Sequence, residues 1–188
     1  MKAIDQISLF MNIVDKITSN FLNNKTLYIG EKVTMSEHMI QTAMLAEKTN
    51  CSSNLICSSL LHDYGHFILE NPEFLVTKNK DGKHEDVGCK FLKKYFTKDI
   101  IGPIKYHVKA KRYLAREKKY YKLLSEASKK SLKMQGGVMN SEEAAKFENN
   151  EFFEDSIKLR KFDELAKKPE IKIKSIIEYK NLLTSKLI

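Results

Sequence analysis

The sequence predicts an all-α protein, and two observations carry that prediction. Leu, Ile, Ala, Lys and Glu dominate a chain of 188 residues that holds only 7 Gly and 3 Pro, a composition that favours helices over turn-rich sheet. Apolar residues also recur at spacings of three and four, the period of one helix face. A 42% apolar content is enough for one sizeable core at this length, so a single domain over residues 1–188 is expected.

The first helix is read over 4–22, where Ile4, Ile7, Phe10, Met11, Val14, Ile17 and Phe21 share a face. After the polar link "NNKT", the segment "TMSEHMIQTAMLAEKT" starts a second, with Thr34 and Glu37 in capping-box spacing and His38 in its first turns. "SNLICSSLLHDYGHFI" reads as a buried third helix, weakened near its end by Gly65. "NPEFLVTKNKDGK" is expected to be a loop, punctuated by Pro72 and Asp81-Gly82. A short helix follows from about His84 through "EDVGCKFLKKYF". Gly102-Pro103 is expected to start the next, because proline suits the first helical position; His107 and Lys111 then fall four apart on one face. "LLSEASKKSLKMQGGVMN" is read as a loop ending at Gly136-Gly137. Helix returns from Ser141, with Arg160 and Asp163 three apart on one face, and the tail after Pro169 is a last amphipathic segment.

Neither a membrane span nor a secretory signal is present in the sequence, so a cytoplasmic protein without a membrane partner is expected. Cys51, Cys57 and Cys89 are odd in number and lack CxxC spacing, which argues against disulfides and a thiolate zinc site. The net charge of +9 suits any anionic partner, from nucleic acid to a small substrate. Its densest stretch, "KAKRYLAREKKYYK" from Lys109 to Lys122, is read as a solvated helix face, and no nucleic-acid partner is expected.

The informative residues are the five histidines, His38, His62, His66, His84 and His107, with Asp63 beside His62 at the end of an apolar run. Burying that pair uncompensated is costly, and a bound cation is the simplest compensation. Imidazoles with carboxylates suit zinc, manganese or iron, and the two oxygens of Asp63 could bridge two ions. Spacing alone does not decide between hydrolysis and oxidation.

The ordered set His38, His62-Asp63, His84, His107 and Asp163 resembles the metal-binding pattern of the HD-domain superfamily, helical proteins that are mostly metal-dependent phosphohydrolases. The stretches "YIGEKVTMSEH", "LLHDYGH", "KHEDVG", "YHVKAKRYL", "SKKSLKMQGG" and "LRKFDELAK" are similar, more narrowly, to the HD-domain mixed-valent diiron oxygenases that cleave phosphonate C–P bonds. This resemblance implies a helical bundle with a buried dinuclear site. One iron would be held by His38, His62, Asp63 and Asp163, and a second, bridged by Asp63, by His84 and His107. Tyr28 would guard the open position on the second iron, and Glu31 would face a substrate ammonium group. His66, Lys111 and Arg160 would meet phosphonate oxygens, with Ser131 and Gln135 as further lining residues.

The implied cofactor is an Fe(II)/Fe(III) pair with dioxygen as co-substrate. The implied reaction releases orthophosphate and a carboxylic acid from a small 1-hydroxyphosphonate, with glycine formed from 2-amino-1-hydroxyethylphosphonate. A phosphonate-hydroxylating enzyme is the functional partner that the resemblance implies. The rival reading is a two-metal phosphohydrolase acting on a nucleotide or another phosphate ester.

Overall fold

The computed structural model describes residues 3–28, 30–69 and 82–188. The loop expected over 71–83 therefore lies outside the described residues up to 81, as do the side chains of Ile4, Ile7, Phe10 and Met11. Ten α-helices are described: α1 (Ala3–Asn23), α2 (Met35–Lys48), α3 (Ser53–Leu61), α4 (His84–Leu92), α5 (Lys98–Leu114), α6 (Lys118–Leu123), α7 (Glu126–Met134), α8 (Ser141–Glu148), α9 (Phe153–Leu165) and α10 (Lys180–Ser185). Short 3-10 turns stand at Tyr64–Phe67 and Ile176–Tyr179, and two isolated bridges take the place of a sheet among the described residues. The all-α expectation holds.

The helices begin where local chemistry stops the backbone. Thr34 Oγ1 accepts from the Glu37 amide (3.2 Å) while a Glu37 oxygen accepts from the Thr34 amide (2.7 Å), the capping box that opens α2. Just before it, the Leu27–Thr34 bridge and the Tyr28 amide on Val33 O (2.8 Å) pinch off the short loop that carries Tyr28 and Glu31.

Three expected boundaries move. The third helix stops at Leu61, and His62 and Asp63 lie in the turn between α3 and the first 3-10 turn. That break points both side chains inward instead of letting them rotate around a helix. The fifth helix starts at Lys98 and keeps Pro103 in its interior, while Ser58 Oγ donates to Ile100 O (2.9 Å) beside the proline. Thr97 in extended conformation and Asp99 in the first turn supply an earlier start than Gly102. Half of the region read as a loop over 123–140 is helix α7, because Ser125 caps it through the Ser128 amide (3.2 Å) and Leu132 packs with Ala115, Tyr120 and Leu124.

α5 and α9 pack along each other, α2 lies across α3 and α9, and α3 and α4 both pack on α5. The main core, including Ile17, Met39, Leu60, Leu61, Ile100 and Ile104, fills the space on one side of these helices. One close approach fixes the other side. A Cβ at Gly65 would lie 1.9 Å from His84 O, so only glycine lets the turn after Asp63 rest on the first residue of α4.

Candidate metal centre and binding pocket

Each helix of this framework delivers one or two donors to a common point. His38 comes from the first turns of α2, His62 and Asp63 from the turn after α3, His84 from the start of α4, His107 from α5 and Asp163 from α9. All six are buried. The imidazole orientations are set by carbonyls. Nδ1 of His38 donates to Ala166 O (2.9 Å), that of His62 to Ser59 O (2.9 Å) and that of His107 to Ile104 O (2.6 Å). A ring whose Nδ1 carries the proton turns an unprotonated Nε2 lone pair to the other side.

Those lone pairs converge in two groups. His38, His62 and Asp163 form one, with His38 Nε2 3.2 Å from His62 Nε2 and 3.3 Å from Asp163 Oδ1. Asp63, His84 and His107 form the other, with the two Nε2 atoms 3.1 Å apart. Asp63 faces both: its Oδ1 is 3.1 Å from His84 Nε2, and its Oδ2 is 3.4 Å from His62 Nε2. Lone pairs this close repel unless a cation lies between them, and donors about 2.1 Å from one ion at right angles stand roughly 3 Å apart. Asp63 Oδ1 and Asp163 Oδ1 are also buried without a hydrogen bond. The donor set therefore fits two metal ions sharing the Asp63 carboxylate.

Charge is arranged to keep the carboxylates ionised. Burial opposes it at Asp63, but His62 and His84 hold that carboxyl well below the usual range. Asp163 is held down against burial chiefly by Arg160, which is buried, bonded to Asp163 and Glu164, and donates from Nε to Tyr120 Oη (2.9 Å). Burial lowers His66 to about 3, so that ring is neutral. Burial, then Arg160, brings Lys111 down to about 7.

A cavity of about 420 Å³ opens over the donors. Asp63, His84, His107 and Asp163 form its floor, and Tyr28, His66, Lys111, Ser131, Gln135 and Arg160 line its sides. Lys111 Nζ donates to Ser131 Oγ (2.9 Å), the His66 ring stacks on His84 (4.3 Å between centroids), and Gln135 Oε1 is buried without a partner.

Two candidates stand elsewhere than expected. Tyr28 stacks on His38 at 4.1 Å, beside the His38–His62–Asp163 group and not over His84 and His107, because the pinched loop lays it across the start of α2. Glu31 is not among the cavity's lining residues; its Oε1 lies 3.5 Å from Lys167 Nζ. Sequence reading missed Tyr120, Glu164 and Lys167. Glu164 stands four residues from Arg160 on α9, a helical spacing that could have flagged it, whereas Lys167 lies past the end of that helix at Leu165. Of the bases and tyrosines in the stretch over 109–122, only Lys111 and Tyr120 are buried; Arg112 pairs with Glu143 (2.6 Å).

The fold and site define a helical protein with a buried two-metal donor set beneath an anion-friendly pocket. Residues 35–181 match the model of the HD domain, and the chain belongs to that family. It is 43% identical over 145 residues, 77% of this chain and 74% of the relative, to [1-hydroxy-2-(trimethylamino)ethyl]phosphonate dioxygenase (glycine-betaine-forming) of Leisingera caerulea. It is 36% identical over 187 residues, 95% of this chain and 92% of the relative, to hydroxymethylphosphonate dioxygenase of Gimesia maris. An uncharacterized protein of Acanthamoeba polyphaga mimivirus is 40% identical over 159 residues, covering 83% of this chain and 73% of that one.

Proposed function

We propose that this chain is a dioxygen-dependent oxygenase that breaks the C–P bond of a small 1-hydroxyphosphonate. The observation that carries this reading is Asp63, whose two oxygens face two separate histidine pairs at the floor of a cavity walled by Lys111 and Arg160. The dioxygenase names of two relatives support oxygenation over hydrolysis.

His38, His62, Asp63 and Asp163 would hold one iron, and Asp63, His84 and His107 a second. The pair supplies the redox chemistry that activates dioxygen. The protein's own part is positioning and charge. Lys111 and Arg160 meet the phosphonate oxygens, the first as a point charge and the second as a planar fork. His66, neutral and held against His84, offers a ring N–H to the same group. Ser131 orients the Lys111 ammonium, and Gln135 adds a polar contact. Tyr28 covers the His38 side and limits water there.

The overall change balances without further reactants: hydroxyphosphonate and dioxygen become a carboxylate and orthophosphate. The electrons that dioxygen accepts come from the C–H and C–P bonds broken at C1. The resemblance favours 2-amino-1-hydroxyethylphosphonate, giving glycine, and Glu31 suits a cationic tail, whether primary amine or trimethylammonium. Hydroxymethylphosphonate is the probe without a charged tail.

The test is orthophosphate release from both compounds by iron-loaded protein, with and without dioxygen. Release that requires dioxygen is the expected result. Release from phosphate esters without dioxygen would replace this reading with the phosphohydrolase one.

A further inference from the structure

Behind the wall formed by Tyr28 and Ser128, a lysine occupies a niche built for a cation. Lys167 Nζ lies 2.8 Å from Ser128 Oγ, 3.0 Å from Glu164 Oε1 and 3.5 Å from both Glu31 Oε1 and Ser125 Oγ. It also stands 5.9 Å from the centre of the Tyr28 ring. Two carboxylates, hydroxyl acceptors and an aromatic face are the groups that recognise an ammonium ion. The side chains are nearly enclosed, at 9% exposure for Lys167 and Glu164 and 14% for Glu31. Little solvent is present to weaken their attraction.

Glu31 Oε1 has no hydrogen bond of its own, so Lys167 is its electrostatic partner. A substrate ammonium reaching for Glu31 would have to pass Tyr28 and Ser128 and take the place of a charge of its own sign. Another carboxylate, Glu126, lines the cavity, but it is 90% exposed and holds Lys129 at 2.7 Å. A solvated pair of that kind binds a further cation weakly.

We infer that Lys167 is a specificity-determining residue: behind the pocket wall it supplies internally the cation that Glu31 would otherwise take, so the site takes 1-hydroxyphosphonates whose tail is absent or uncharged and disfavours those ending in ammonium. This rests on the oxygenase reading above and reverses the tail preference that Glu31 alone suggests.

The experiment compares hydroxymethylphosphonate with 2-amino-1-hydroxyethylphosphonate on iron-loaded native protein, Lys167→Met and Lys167→Arg. It reads kcat/KM for orthophosphate release in air and the Kd of each compound by anaerobic calorimetry. The native protein is expected to favour hydroxymethylphosphonate, which has no charged tail, by about tenfold or more in both readouts. Lys167→Met should shrink that ratio by about tenfold through a gain on the amine, while Lys167→Arg keeps it.

A native preference for the amine overturns the inference outright, whether or not Lys167→Met folds. So does an unchanged ratio in a folded Lys167→Met protein. If no compound releases orthophosphate but the Kd ranking and its loss are as expected, the oxygenase reading fails and the role of Lys167 stands. If the Kd values show no ranking, the inference falls whatever the activity.

Discussion

At the scale of single residues, Asp63 and Lys111 divide the work between metal and substrate. Among the described residues, Asp63 is the one carboxylate whose two oxygens face the two donor groups, at 3.1 Å from His84 Nε2 and 3.4 Å from His62 Nε2. Asp63→Ala should therefore lose both ions rather than one, with bound metal per chain falling toward zero in elemental analysis. Retention of one full equivalent would sink the bridging role. Lys111 is the group on the pocket's side walls whose charge changes near neutrality. Its pKa is brought down to about 7, so the cation is present below that pH and disappears as pH rises through it. A phosphonate needs the cation, so kcat/KM should fall above about pH 7, by up to about tenfold per unit, reporting the free enzyme. Bound phosphonate favours the charged form, so the same limb in kcat should lie higher. Lys111→Arg keeps a charge at every working pH and should flatten this limb in a pH–rate profile.

At the scale of elements, the pocket depends on how tightly two of them meet. The turn after Asp63 rests on His84 O with no room for a side chain at Gly65. Gly65→Ala should cost about 1–3 kcal/mol, as overpacking does, and push α4 away so that His84 and His107 lose their shared ion before the other group does. Denaturant unfolding together with metal content would check it. Removing the Thr34 cap should cost about 1 kcal/mol and loosen the loop carrying Tyr28, without changing metal content. These elements also show what the sequence made legible. Thr34 and Glu37 announce α2 because a capping box is a local hydrogen-bond pattern, and the inward face of α5 followed from His107 and Lys111 being four apart. The break at His62-Asp63 was not legible, since an apolar run looks the same whether its last turn is helical or not. Nor was the Glu31–Lys167 pair, which joins residues far apart in the chain and has no local signature.

At the scale of the whole molecule, the two donor groups are a stability problem that a cation solves. α2, α3, α4, α5 and α9 each bring a lone pair or a carboxylate to one buried point, so without a counterion the core of the bundle holds repelling groups. An ion that binds the folded chain and not the unfolded one stabilises it by mass action, by about 2.7 kcal/mol when free metal is a hundredfold above Kd. For a chain of this length that is a rise in Tm of roughly 5–10 °C. Iron-loaded protein should thus melt higher than chelator-treated protein, and the difference should grow with free metal concentration. The two groups share Asp63, so Asp63→Ala should abolish the shift completely. His84→Ala should leave part of it, because His38, His62, Asp63 and Asp163 remain together. A calorimetric scan in which chelation leaves the Tm unchanged would mean that the converging nitrogens are held apart by packing alone, and the metal reading of this core would fail.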